Sequence, residues 1–171
     1  MTKMTSAYAN KVLKKLNDDK DFYLNKEQEG QVYVAALDEE PVIPDYDYAE
    51  VSAKIAEIDG KIIKIKHAIN VTNATSKIDV EGLDMTIDSI LVKMAQLNRR
   101  KLVLDKMRKR QAKTRENSGL YGARKTAPEY RYINYDLKAV NKDYERIDAE
   151  IAAMQIALDK FNQTFEFEVE V

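Results

Sequence analysis

A polar segment at residues 66–75 follows a run of isoleucines and carries side chains that could hold a ligand. Lys66, Asn70 and Asn73 are spaced by four and three residues, so they share one face of a helix beside its apolar stripe. A lysine supplies a point charge for an anion, and two amides can read hydrogen-bonding edges. The alternative is that these residues satisfy the last carbonyls of a helix C-terminus.

A second cluster combines aromatic, basic and amide side chains at residues 130–135. Tyrosine rings offer flat faces for stacking a nucleobase, and an arginine offers a fork for phosphate. The alternative is that the rings pack at the start of the next helix while an asparagine caps it. The residue types leave both interpretations open. The cluster consists of Tyr130, Arg131, Tyr132, Asn134 and Tyr135.

Charge is unevenly distributed along the chain. From Arg99 to Arg131 there are 12 Lys/Arg and 3 Asp/Glu, whereas the remainder has 16 and 26. Such a basic sector, which includes Arg115, can attract a phosphate, a nucleic acid or the acidic part of a neighbouring subunit. The alternative is a solvated helix face and loop. Since the sector contains no Walker-type or GxGxxG motif, nucleic-acid binding is weighed but not favoured.

The composition argues against several kinds of catalyst. The chain has no cysteine, which excludes disulfides, a thiol nucleophile and cysteine-ligated metals. The single histidine, His67, could act as a general acid or base, the role that imidazole side chains often have in catalysis. No motif supplies it with an orienting carboxylate or a nucleophile, so a hydrogen-bonded structural role is the stronger expectation. We therefore predict a non-enzymatic protein without cofactor or metal.

Apolar periodicity predicts four helices, over residues 6–28, 47–73, 86–110 and 134–162. The second and fourth carry apolar residues spaced alternately by three and four, which is a heptad seam that demands a helical partner. We expect these two seams to pack against each other, with the third helix filling the remaining side. The two seams consist of Tyr48, Val51, Ile55, Ile58, Ile62, Ile65 and Ile69, and of Leu137, Val140, Tyr144, Ile147, Ile151, Met154, Leu158 and Phe161.

Short segments outside the helices complete the prediction. Residues 164–171 alternate strictly between apolar and acidic side chains, which predicts a strand. Its expected partner is the extended segment 31–37 or another subunit. An acidic connection spans 38–47, and a basic loop spans 111–133. The expected fold is a single, mainly α domain over residues 1–171, an antiparallel helical bundle with a short β ribbon.

One family resembles this sequence. The motif Ile69-Asn70-x-Thr72-Asn73, with Gly82 and Met85-Thr86-Ile87 opening the next helix, is similar to the septicolysin-like family of small helical bacterial proteins. The segment QIALDKFN at 155–162 also resembles the close of that family. The resemblance covers about residues 48–165 and implies long antiparallel helices and an oligomer. The basic loop and the acidic connection depart from the family pattern.

No apolar run approaches the roughly 20 residues that span a bilayer, and the N-terminus lacks the apolar core of a signal peptide. A cytoplasmic protein without a membrane partner is expected. The candidate ligand is a small anion, most plausibly of nucleotide type, held between helices of a homo-oligomer. The alternative is an assembly protein whose seams and C-terminal strand make subunit contacts. The candidate ligand contacts are Lys66, His67, Asn70, Asn73, Arg115, Tyr130, Arg131, Tyr132, Asn134 and Tyr135.

Overall fold

Helices dominate the structure, a computed structural model that describes residues 1–116 and 129–170. The predicted mainly α fold is confirmed, and the helix boundaries differ from the prediction by no more than three residues. Within the described residues the elements in chain order are β1 (Thr2–Thr5), α1 (Ser6–Gly30), α2 (Tyr48–Thr75), β2 (Lys77–Val80), β3 (Leu83–Thr86), α3 (Ile87–Arg108), β4 (Lys113–Arg115), β5 (Tyr130–Tyr132), α4 (Leu137–Thr164) and β6 (Glu166–Val169).

The helices are arranged as two antiparallel hairpins. In the first hairpin α1 packs on α2, and in the second hairpin α3 packs on α4. The prediction that the seams of α2 and α4 pack against each other is therefore wrong. Apart from Tyr48, which is 69% exposed, the residues of both seams are buried or half-buried as the period predicts. The partner of each seam is the helix adjacent in the chain. A heptad period shows that a helix has a partner and does not specify which helix it is.

Each hairpin has its own apolar core. The first core lies between α1 and α2 and receives one residue from each terminal strand, and the second is divided into two clusters along α3 and α4. The first core contains Met4, Ala9, Leu13, Ile58, Ile62, Ile65 and Val169. The clusters of the second hairpin contain Ile87, Ile90, Met154, Leu158 and Phe161 near its base, and Leu104, Val140 and Ile147 further along.

Two small antiparallel sheets join the hairpins at their bases. β1 pairs with β6, with Thr2 opposite Val169 and Thr5 opposite Glu166. The alternating C-terminal segment thus forms the predicted strand, but its partner is the N-terminal strand and not segment 31–37. β2 pairs with β3 where the sequence indicated a loop. The tight turn between them places Glu81 and Gly82 at positive φ, of 53° and 87°.

The molecule is far from spherical. Its accessible surface is 13149 Å², whereas a compact monomer of 19.7 kDa exposes about 8,600 Å². The excess arises because each hairpin is only two helices thick and packs on the other near its base. Both faces of the long helices consequently meet solvent over much of their length.

The pairing of α2 with α1 predicts that two nearby isoleucines of α2 contribute very differently to the free energy of unfolding. Ile65 is fully buried, whereas Ile63 on the same helix is 67% exposed. Replacing Ile65 with alanine leaves a cavity in the first core and should lower the free energy of unfolding by about 2–4 kcal/mol. The matched change Ile63→Ala should alter it by less than about 0.5 kcal/mol. Urea unfolding followed by circular dichroism measures both, and equal losses would contradict this packing.

Two glycines in the first hairpin predict opposite effects of the same substitution. A Cβ at Gly30 would lie 2.5 Å from Cβ of Tyr46, whereas a Cβ at Gly60 has nothing within 4 Å. Gly60→Ala should stabilise the protein by about 0.5–1 kcal/mol, since alanine favours the helix. Gly30→Ala should destabilise it by about 1–3 kcal/mol, because the overlap outweighs that gain. Thermal unfolding gives both signs, and a stabilising Gly30→Ala would disprove the close contact.

Candidate anion-binding site

The described part of the basic sector forms a β ribbon at the end of the second hairpin. β4 and β5 pair antiparallel, with Lys113 opposite Tyr132 and Arg115 opposite Tyr130. Backbone bonds extend the ribbon at both ends, as Ile133 donates to Ala112 and Glu116 donates to Glu129. The ribbon therefore fixes side chains that the sequence assigned to a loop.

The strand register sorts these side chains into two faces, because opposite residues project to the same side. One face holds Lys113, Arg115, Tyr130 and Tyr132. The ammonium of Lys113 lies 4.1 Å from the ring centroid of Tyr130 and 5.5 Å from that of Tyr132. Lys113 therefore contacts both tyrosine rings of this face. The side chain of Tyr132 is the more exposed of the two, at 62% against 42% for Tyr130.

An open groove of about 430 Å³ lies beside the ribbon, between β4, β5 and the segment that follows α3. We call it the arginine groove, because Arg110, Arg115 and Arg131 line it. It brings together three of the predicted ligand contacts, Arg115, Arg131 and Tyr132. It also contains residues that were not among the predicted contacts. The strand alternation of Lys113-Thr114-Arg115 and Tyr130-Arg131-Tyr132 was the sequence signal that could have identified the ribbon, and with it Thr114. The groove is lined by Arg110, Gln111, Thr114, Arg115, Glu116, Arg131, Tyr132 and Ile133.

Positive charge in the groove is only partly neutralised. Arg131 forms an ion pair with Glu116, with 2.8 Å between Nη2 and Oε1. Arg110 and Arg115 have no carboxylate partner among residues 1–116 and 129–170. Both are exposed, so their guanidinium groups stand in solvent at the groove. Planar guanidinium forks match the oxygens of phosphate, and two of them remain available here.

Neighbouring cations on α3 are held by their own helix. The carboxylate of Asp105 accepts from Lys109 at 2.5 Å and from Arg108 at 2.9 Å. These bonds hold the pKa of the Asp105 carboxyl below its ordinary value, with Lys109 the largest cause. The guanidinium of Arg108 also lies 4.0 Å from the ring centroid of Tyr144. Arg108 and Lys109 are therefore structural rather than groove residues.

Two of the predicted ligand contacts lie at the start of α4 and do not line the groove. The hydroxyl of Tyr135 donates to the carbonyl of Met107 at 2.7 Å, and its ring packs in the adjacent core. Asn134 is exposed and precedes the helix. The cap is Asp136, whose carboxylate accepts from the backbone N–H of Lys138 at 2.8 Å. The alternative of an asparagine cap is thus wrong, and the packing alternative holds for Tyr135.

The first predicted cluster lies at the other end of α3. Asn70 is exposed near the end of α2, and just beyond that helix the carbonyl of Ser76 accepts from the N–H of Ile87, the first residue of α3. Tyr135 instead bonds to Met107 in the last turn of α3. Since α3 rises about 1.5 Å per residue, about 30 Å separates these points. The single cleft expected between the two clusters does not form within one chain.

The side chains of the first cluster face mainly solvent. Lys66, His67 and Asn70 are exposed, and Asn73 is half-buried. The buried side chains of this helix segment are Ile65 and Thr72. His67 thus lies on the solvent side of α2, about a helix length from the arginine groove.

No protein family and no curated protein matches the chain. Its fold is similar to the crystal structure of a functionally unknown conserved protein from Corynebacterium diphtheriae. The TM-score is 0.63 at 15% sequence identity, and the match covers 98% of this chain and 100% of that one. At this identity the likeness shows a shared fold alone. The septicolysin-like resemblance stays a prediction.

Two kinds of feature are absent from the described residues. No helix in that part of the chain is long and apolar enough to cross a membrane. Residues 1–116 and 129–170 also contain no group of three or more His, Cys, Asp or Glu side chains placed to hold a metal ion.

The ion pairs of Asp105 predict a pH effect on stability. Its folded pKa lies below the ordinary value of 3.8, so the pairs stabilise the fold above about pH 4 and are lost as the pH falls through the lowered pKa. Asp105→Asn should therefore reduce the difference in unfolding free energy between neutral pH and about pH 3. Urea titrations at both pH values measure it. The control is Asp84→Asn, which removes an exposed carboxylate on β3. This variant should keep a larger difference in unfolding free energy between the two pH values than Asp105→Asn does.

Proposed function

We propose that the protein is a non-enzymatic binding protein that holds an anionic ligand of nucleotide type in the arginine groove. The observation that carries this proposal is the convergence of Arg110, Arg115 and Arg131 on one groove. The proposal retains the chemistry inferred from the sequence and moves it from a cleft between helices to the end of the second hairpin.

The charges support a ligand that carries phosphate. Of the three groove arginines, Arg110 and Arg115 have no carboxylate partner in the described residues. A diphosphate or a phosphodiester between them would replace water around both forks with charge-assisted bonds. The Glu116 carboxylate remains paired with Arg131, which limits its repulsion of the ligand. Gln111 and Thr114 add neutral hydrogen-bonding groups to the same lining.

The size and the aromatic side chain support a nucleotide over a bare phosphate. Ligand sites of small molecules have volumes of about 300–1,000 Å³, and this groove has about 430 Å³. The side chain of Tyr132 is 62% exposed at its edge. Such a ring can stack on a base while the arginines hold the phosphate.

The groove chemistry supports binding without turnover. Its lining provides guanidinium, amide, hydroxyl and phenol groups, together with one carboxylate that is already in an ion pair. A general base near neutral pH is usually a histidine or a carboxylate with a raised pKa, and His67 lies on α2. Because nucleotides are intracellular metabolites, the proposal keeps the cytoplasmic expectation.

Calorimetric titration at low salt tests the proposal against pyrophosphate, mononucleotides, ADP-ribose and cyclic dinucleotides. At least one should bind, with affinity falling as salt rises. Arg110→Ala with Arg115→Ala should weaken that binding about 10- to 100-fold, since each charge-assisted bond contributes about 1.5–3 kcal/mol before compensation.

The matched control removes the same amount of charge from α3, outside the groove. Arg99 and Arg100 are exposed on α3, and replacing both with alanine should leave the affinity within about twofold. No heat with any of the ligands would refute the proposal. An equal loss of affinity in the control variant would show that the overall charge of the protein, and not the groove, is responsible for binding.

A further inference from the structure

The connection between α1 and α2 exposes an unusual amount of apolar surface. We call residues 31–47 the acidic loop; its large apolar side chains contact solvent instead of folding onto the hairpin. Val34 is 97% exposed, Val42 is 90% exposed, and Leu37 is as exposed as in an extended peptide. Val32 and Ile43 are also well exposed. A cluster of this kind commonly marks an interaction surface.

The two ends of the acidic loop are fixed to the hairpin. At its start the N–H of Gln31 donates to the carbonyl of Glu27 at 3.1 Å. At its end Tyr46 packs directly on Gly30, and its hydroxyl donates to the Glu27 carboxylate at 3.1 Å. Between these anchors residues 32–36 belong to no helix and pair with no strand among the described residues. The hairpin therefore presents this exposed segment at its distal end.

The distal ends of the two hairpins carry opposite charge. Residues 27–53 contain eight Asp/Glu and no Lys/Arg, whereas residues 106–116 contain six Lys/Arg and one Glu. We call residues 106–116 with 129–138 the basic end. Residues 31–43 are all exposed, and so are β4 and β5, so the two ends do not cover each other within one chain.

We propose that the acidic loop of one copy docks on the basic end of a second copy. Opposite charge steers the two surfaces together and fixes their pairing. The exposed valines and leucine of the loop would pack on Tyr130 and Tyr132, which are 42% and 62% exposed. In the described residues β4 and β5 pair with each other alone. Each has an outer edge to which the exposed, unpaired segment 32–36 would add as a strand in the complex.

A second copy is the occupant that the molecule itself supplies. Every chain carries both surfaces in equal number, and each matches the other in charge and in apolar content. The large accessible surface leaves ample room, since a stable interface buries about 1,200–2,000 Å² in total. Two copies satisfy both contacts around a two-fold axis, and a larger number satisfies them in a ring. The contact therefore explains the exposed loop without another protein.

Light scattering with size-exclusion chromatography tests the proposal on the full chain. The wild type should be an oligomer at micromolar concentration and should dissociate as salt rises from about 0.05 M to about 0.5 M. Charge reversal in the loop, Asp38→Lys with Glu39→Lys and Glu40→Lys, should raise the dissociation constant about tenfold or more. Circular dichroism confirms that the exposed substitutions leave the helices intact.

A mixing experiment identifies the partner surface. The complementary variant, Lys106→Glu with Lys138→Glu, changes two exposed lysines of the basic end and should also associate weakly by itself. In an equimolar mixture the lysines of the reversed loop meet the glutamates of the reversed basic end. The unchanged loop of the second variant meets the unchanged basic end of the first, so both contacts again pair opposite charges and association should return. A mass in the mixture above that of each separate variant is the expected result.

The matched control reverses three acidic residues at the base, Asp79, Glu81 and Asp84, to lysine; its mass should equal that of the wild type. A monomeric wild type, an unchanged mass in the loop variant, or a mixture with no gain would overturn the proposal. The basic-end variant spares Arg110 and Arg115. A failure of the anion-binding proposal and a failure of the self-association proposal can therefore be distinguished. Capture of some other protein would not support the self-association proposal.

Discussion

Burial of one heptad seam within each hairpin is the interaction on which the rest of the structure depends. The isoleucines of α2 pack on α1, and the seam of α4 packs on α3. Because each seam is satisfied by the helix adjacent in the chain, the hairpins need each other only near their bases. There the strand β6, which follows α4, inserts Val169 into the core of the first hairpin. Together with the β2–β3 pair, this strand joins the hairpins at their bases and leaves both distal ends free.

That arrangement decides where binding chemistry can be placed. A two-helix hairpin has no interior wide enough for a ligand, so polar function moves to its ends and surfaces. At the end of the second hairpin the β4–β5 ribbon holds Arg115 and Arg131 at fixed positions beside Arg110. The groove is open to solvent, where each ion pair or charge contact has modest strength. In the proposed site, affinity must therefore come from several guanidinium groups acting on one anion.

Local patterns identified the four helices and the C-terminal strand but not their neighbours, and strands β1 to β5 were not among the predicted elements. The helix boundaries, the buried residues of the two seams and the alternating C-terminal strand follow from side-chain period, since burial of one face requires it. The two polar clusters do not converge within one chain, because Asn70 lies near the start of α3 and Tyr135 near its end. Sequence spacing carries no information about which two helix ends meet in space.

The sequence by itself determined the mainly α class, the seams and the charge separation between the acidic connection and the basic sector. Tertiary structure alone decided that α2 packs on α1, that β6 pairs with β1, and that Arg115, Arg131 and Tyr132 share a groove. The physical reason is that periodicity reports the free energy of burying one face of an element. The identity of the covering partner depends on chain connectivity and on competing packings of the same apolar stripes.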